Sequence, residues 1–175
     1  RICAFNGQMG MYVRALTYML SHGGDGLAQA AKDAVLNANY VKARLADSFS
    51  VPFAAAGFCM HEALFDDHFL EGTGVTTLDF AKALIDEGFH PMTMYFPLVV
   101  HGAMLVEPTE SEPKQTLDHF CDVMLELAAD ARAGNAVRFT SAPTRAPRRR
   151  LDETRAARQP RLKWEPPAAL PQAAE

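Results

Sequence analysis

FHPMTMYFPLVVHGAMLVEPTESEPKQTLDHFC, residues 89–121, carries three local signals in succession. Pro91 and Pro97 forbid helix and push the residues before them toward extended geometry. Leu98 to Val106 is apolar and rich in β-branched side chains, which predicts a buried strand. Glu107-Pro108-Thr109-Glu110 ends that strand and turns the chain. Leu117, Phe120, Cys121, Met124, Leu125 and Ala128 then recur at helical spacing, as in a helix laid on a sheet. Glu107 and Glu110 read as turn and helix-cap residues rather than as acids or bases.

Upstream of this unit, Gly7 and Gly10 bracket an irregular opening. Met11 to His22 is apolar on nearly every side (Val13, Leu16, Met19, Leu20), which predicts a largely buried helix with Arg14 paired or at an edge. Ser21–Gly26 reads as a corner; it follows a helix and lacks the strand that a phosphate loop needs. A second helix runs from about Leu27 to Asp47, with Asn37 and Asn39 available to pin it to a neighbour. Val51-Pro52-Phe53 suggests a short edge strand. Met60–Phe65 suggests a central strand with His61, Ala63 and Phe65 on one face. Asp66-Asp67-His68 lacks a fourth ligand at metal spacing and reads as solvated loop. Thr76 caps a helix that Gly88 stops, with Leu78, Ala81 and Ile85 facing inward. The predicted fold class is α+β, with helices packed on a small sheet of three or four strands, antiparallel or mixed.

The 175 residues suit one domain and an appendage. Residues 141–175 hold eight Lys/Arg against four Asp/Glu and more than half of the eleven prolines. Residues 1–140 hold nine against seventeen, an acidic body that excludes a nucleic-acid-binding core. No apolar run has the ~18 residues of a membrane span. Cys3, Cys59 and Cys121 have no metal spacing and read as reduced thiols, so no metal site is expected. The tail is either a disordered segment or an arm that docks on a partner subunit through Leu151, Leu162 and Trp164. The first residue is Arg1, and Arg1–Phe5 reads as a strand already under way, so a C-terminal piece of a longer chain is expected.

The residues alone supply no complete catalytic set; His90, His101 and His119 read as surface or packed histidines. A resemblance adds to this. Phe89-His90-Pro91, Thr93, Tyr95-Phe96-Pro97 and Met104–Glu112 resemble the C-terminal region of the glycine decarboxylase family, the P-protein of the glycine cleavage system (glycine dehydrogenase, aminomethyl-transferring). Ala34–Tyr40 (AVLNANY), Met60-His61-Glu62 and the opening Phe5–Ala15 resemble family segments in the same order. The tail, with Arg149–Glu153 and Ala156–Arg158, resembles the end of the bacterial β-type subunit (subunit 2). Asn6, Gln8 and Met92 depart from the usual Tyr, Asn and Pro, and His101-Gly102 from a common acidic-apolar pair.

The resemblance implies the small C-terminal domain of a pyridoxal-phosphate enzyme of the aspartate aminotransferase fold type I. Residues 1–24 would lead in from a large cofactor-binding domain, 25–140 form the small domain, and 141–175 the tail. In the family, pyridoxal 5'-phosphate is the electron sink for glycine decarboxylation, and the aminomethyl group passes to the lipoyl arm of the H-protein. The Schiff-base lysine is expected upstream of Arg1, so this chain holds no catalytic residue and is expected to be inactive alone. Asn6 and Gly7 are cofactor candidates; His90, Thr93 and Tyr95 are substrate-pocket candidates, with an ordered turn as the alternative reading. Implied partners are the rest of the subunit, subunit 1, the lipoylated H-protein and glycine, in a bacterial cytoplasm. The rival readings are a non-catalytic interaction or regulatory module, and another decarboxylase or aminotransferase of the same fold type.

Overall fold

The computed structural model describes residues 6–164. In chain order these are α1 (Met9–Leu45), β1 (Ala63–Phe65), α2 (Thr77–Asp86), β2 (Thr93–Met94), β3 (Met104–Val106), α3 (Lys114–Arg132), α4 (Ala136–Thr140) and α5 (Glu153–Arg158). The strands form one antiparallel sheet in the order β1-β3-β2. The α+β expectation therefore holds, with three strands. The extended reading of Arg1–Phe5, Cys3 included, falls outside the described residues. No helix among them is long and apolar enough to cross a membrane.

The core forms where α1, α3 and the sheet meet. Val41 and Leu45 of α1, Ala63 and Phe65 of β1, Met104 of β3, and Cys121, Met124 and Leu127 of α3 are all fully buried. The stripe predicted for α3 thus packs as expected. A second layer is aromatic: Phe80 of α2 stacks on Phe139 of α4 at 6.1 Å, and meets Phe69 and Phe49 edge-on at 5.2 and 6.2 Å. Charges close the outside. Arg44 of α1 reaches Asp118 and Asp122 of α3 at 2.8 and 2.7 Å, and Arg138 of α4 bonds Glu87, Glu126 and Asp130.

Several expectations are corrected. Leu98–Val100 is a turn rather than strand, leaving Leu98 and Val99 81% and 83% exposed. Backbone geometry overrides composition there. Tyr95 turns to a φ of 61° just after β2, its N–H bonding Ala103 O at 2.8 Å, and the Val100 N–H closes a turn on Pro97 O at 3.0 Å. Gly102 (φ 56°) completes the return, and a Cβ there would lie 2.0 Å from Asp67 Cγ. β3 is consequently the central strand, and β1 lies at the edge. Val51-Pro52-Phe53 is a turn leading to the single helical turn Ala54–Ala56.

The opening helix is not buried: Met11, Val13, Leu16 and Met19 are all exposed, because no described element packs on that half of α1. Its corner narrows to one break, at Gly23 (φ 62°, ψ −178°), with helix on both sides. In α2, Thr76 and Asp79 form the predicted cap as a reciprocal box. That cap sets a helical phase in which Phe80, Ala81, Ala83 and Leu84 are buried while Leu78 is exposed. After Gly134 the chain remains ordered: Phe139 and Ala142 join the core.

These placements separate two substitutions that composition would rank alike. Phe80→Ala empties the centre of the aromatic layer and is expected to cost about 3–5 kcal/mol. Leu98→Ala, in the exposed turn, should stay within about 0.5 kcal/mol. Chemical denaturation of the two variants checks this.

Candidate functional site

A cleft of about 370 Å³ opens between the loop before β2, the outer side of β3 and the start of α3. Register builds its first wall: Thr93 of β2 stands opposite Leu105 of β3, and both line the cleft. The floor is apolar, from Phe89, Met92, Leu117 and Phe120, with the Phe89 and Phe120 rings edge-to-face at 5.4 Å. His90, Thr109, Glu107 and Glu112 form the rim. The start of α3, expected only to support the sheet, therefore forms part of the wall.

The rim is held from below by α1. Asn37 Nδ2 donates to the carbonyls of Thr109 (2.9 Å) and Glu112 (3.2 Å). Thr109 sits at a φ of 60°, a costly conformation for a β-branched residue, and its Oγ1 lies 2.8 Å from Ser111 Oγ. Asn39, two residues along α1, bonds both backbone groups of Cys59, giving to its O at 2.8 Å and accepting from its N–H at 3.0 Å. The predicted pinning role of both asparagines is thus realised. Glu110 does not cap α3, whose N-cap is Pro113 without a side-chain bond; Glu110 instead accepts from the Tyr18 hydroxyl at 3.4 Å.

Of the sequence candidates, His90 and Thr93 come together at the cleft. Tyr95 does not line it: its hydroxyl accepts from the Leu78 N–H at 3.2 Å, at the start of α2. Asn6 and Gly7 lie ahead of α1. A Cβ on Gly7 (φ 110°) would fall 1.8 Å from the Tyr12 hydroxyl, which donates to Asn6 O at 3.1 Å. Residues missed as site-formers are Asn37, Thr109 and Glu112. Only Asn37, an amide inside a helix, left a signal.

The donor set disfavours a phosphate cofactor. No lysine or arginine lines the cleft, and Glu107 and Glu112 would repel an anion. Lys114 is paired with Asp118 at 2.7 Å, and Lys42 bonds the Gly57 carbonyl. The lining of this cleft does not fit pyridoxal phosphate.

Asp66-Asp67-His68 is solvated only in part: His68 is exposed and Asp67 half-buried. Asp66 is buried; burial pushes its carboxyl up, but bonds from Ser50 (2.7 Å) and from the backbone and ring of His68 outweigh that and hold it below the usual range. Among the described residues no group of three or more His, Cys, Asp or Glu is placed for a metal. Asp67 pairs with His101 at 2.9 Å and raises its pKa, as Asp66 raises that of His68. Burial drives the Cys121 thiol up to about 11.

Fold and cleft together define a small α+β domain whose ligand-sized pocket lacks lysine, arginine, serine and cysteine in its lining. The chain belongs to the family described as glycine dehydrogenase, C-terminal domain, whose profile matches residues 30–145. A probable glycine dehydrogenase (decarboxylating) subunit 2 from Caulobacter vibrioides is 70% identical over 175 residues, all of this chain and 33% of its own length. Proteins of the same name from Staphylococcus saprophyticus and Kosmotoga olearia are 48% and 44% identical, covering 94% and 95% of this chain. The chain spans about a third of the length of these curated relatives (33–34%).

Two outcomes follow from the geometry. Asn37→Ala leaves the Thr109 and Glu112 carbonyls without their amide and should cost about 1–3 kcal/mol in denaturant unfolding. His101 should titrate above the ordinary value of about 6.5, and Asp67→Asn should return it there, as read by NMR of the ring protons. Because the folded value is raised, the pair's contribution to stability is full below about pH 6.5 and is lost as pH rises through the raised value.

Proposed function

We propose that this chain is the C-terminal part of a glycine-decarboxylating subunit, its small domain of the aspartate aminotransferase fold type I. The observation that carries this is 70% identity along all 175 residues to a probable glycine dehydrogenase (decarboxylating) subunit 2. The relatives' name speaks of a subunit, so a subunit 1 partner is part of the proposal. Pyridoxal 5'-phosphate is then held by a lysine outside these 175 residues, consistent with a cleft lined by carboxylates and no cation. By itself the chain does not decarboxylate glycine. The aminomethyl group released from glycine goes to the lipoyl arm of the H-protein, in the bacterial cytoplasm.

Within this chain, His90 and Thr93 present a polar lip to the substrate side. The imidazole and hydroxyl offer hydrogen bonds to a small zwitterion without the repulsion that Glu107 and Glu112 impose on its carboxylate elsewhere on the rim. Tyr95 acts one step removed, by holding the first turn of α2 through the Leu78 N–H. Residues 1–24 connect to the large domain, which covers the exposed half of α1.

The full-length subunit, assembled with subunit 1, cofactor and lipoylated H-protein, should exchange labelled bicarbonate into glycine. His90→Ala and Thr93→Ala should each lower kcat/KM for glycine by about tenfold or more. A folded assembly with no glycine-dependent exchange overturns the function. Unchanged kinetics in both variants overturn only the assignment of the lip.

A further inference from the structure

We propose that the arm Leu151–Trp164 of one copy seats in the Phe89–Phe120 cleft of a second copy of this chain. The arm leaves the body at a fixed point. Arg150 donates to Ala142 O at 2.7 Å and Phe139 O at 2.8 Å, and pairs with Asp79 at 2.6 Å. Asp86 holds the strap before it by accepting the backbone N–H groups of Thr144 and Arg145. Beyond Arg150 no residue through Trp164 is buried. Leu151, Leu162 and Trp164 are 70%, 90% and 83% exposed, and α5 buries no side chain. A six-residue helix is far too short to persist on its own hydrogen bonds, so this segment needs a surface.

The cleft has the complementary properties. Its floor is aromatic and aliphatic, its rim carries Glu107 and Glu112, and it has no cation in its lining. The arm brings Arg155, Arg158, Arg161 and Lys163 against Asp152 and Glu153, a net positive segment around large apolar anchors. At about 370 Å³ the cleft is ligand-sized, with room for an indole and a neighbouring aliphatic chain. Glycine has no apolar surface to bury on that floor, so a small substrate does not account for it. Arm and cleft lie on the same chain, and two copies can each fill the other's cleft about a twofold axis, which closes the assembly. Trp164 and Leu162 are then the buried anchors, and the Glu rim opposite Arg161 and Lys163 sets orientation and specificity. Because His90 and Thr93 line the same cleft, a seated arm and a substrate held at that lip exclude one another.

The test uses the full-length subunit with Leu162→Cys and Glu112→Cys, both at exposed positions, prepared with two different affinity tags and mixed before mild oxidation. A disulfide joining the two tags, absent from either single variant, is expected. As a second measurement, Arg161→Glu should weaken self-association in sedimentation by about tenfold or more, and adding Glu107→Arg should restore it. A disulfide within one chain, one to a different subunit, or none at all overturns the proposal, as does self-association that Arg161→Glu leaves unchanged.

Discussion

Two asparagine side chains on one helix hold the rest of the domain in register. Asn39 grips Cys59, just before β1, and Asn37 grips the carbonyls of Thr109 and Glu112, just after β3. β1 and β3 are antiparallel, with Ala63 opposite Val106, so both grips fall at the same end of the sheet. Asparagine is a poor helix former because its amide competes for backbone groups. Here that same capacity is used across the fold: the amides satisfy loop carbonyls that a helix-forming alanine would leave without partners. The cleft depends on this clamp, since the strained Thr109 turn forms its rim.

Electrostatics then decides what the cleft suits. Several positively charged side chains of this domain are paired elsewhere: Arg44 with Asp118 and Asp122, Lys114 with Asp118, Arg138 with Glu87, and Arg150 with Asp79. Asp79 shows the pattern well. Burial raises its carboxyl, yet Thr76 and Arg150 lower it overall, so it remains a charged tie between α2 and the strap. Those cations stitch helices and strap together, and the charged side chains that line the cleft are Glu107 and Glu112. The cleft therefore does not suit an anionic ligand.

Much of this was legible in the sequence because it is local. The capping box Thr76–Asp79, the apolar stripe of α3 and the turn at Glu107–Glu110 depend on side chains within a few residues of one another. So did the family, carried by contiguous motifs such as Ala34–Tyr40 and Phe89–Pro97. His90 and Thr93, which lie in the second of those motifs, line the cleft. Tyr95, two residues on, was not separable from them by sequence, since its direction follows from a positive φ that a tyrosine does not advertise.

Tertiary structure alone decided three things. Leu98 and Val99 read as buried strand, but Gly102 and its close approach to Asp67 bring the chain back before β3 can start earlier. The opening half of α1 reads as buried, and composition cannot say which other element would cover it. Leu117 and Phe120 belong to a stripe whose spacing reveals a helix face but not that part of this face borders a cleft. Sequence by itself determined the α+β class, the capping box that starts α2 and the family, because those rest on neighbours along the chain. Which strand is central, which apolar residues meet solvent and where the cleft opens rest on contacts between residues far apart in sequence, and only the folded chain brings those together.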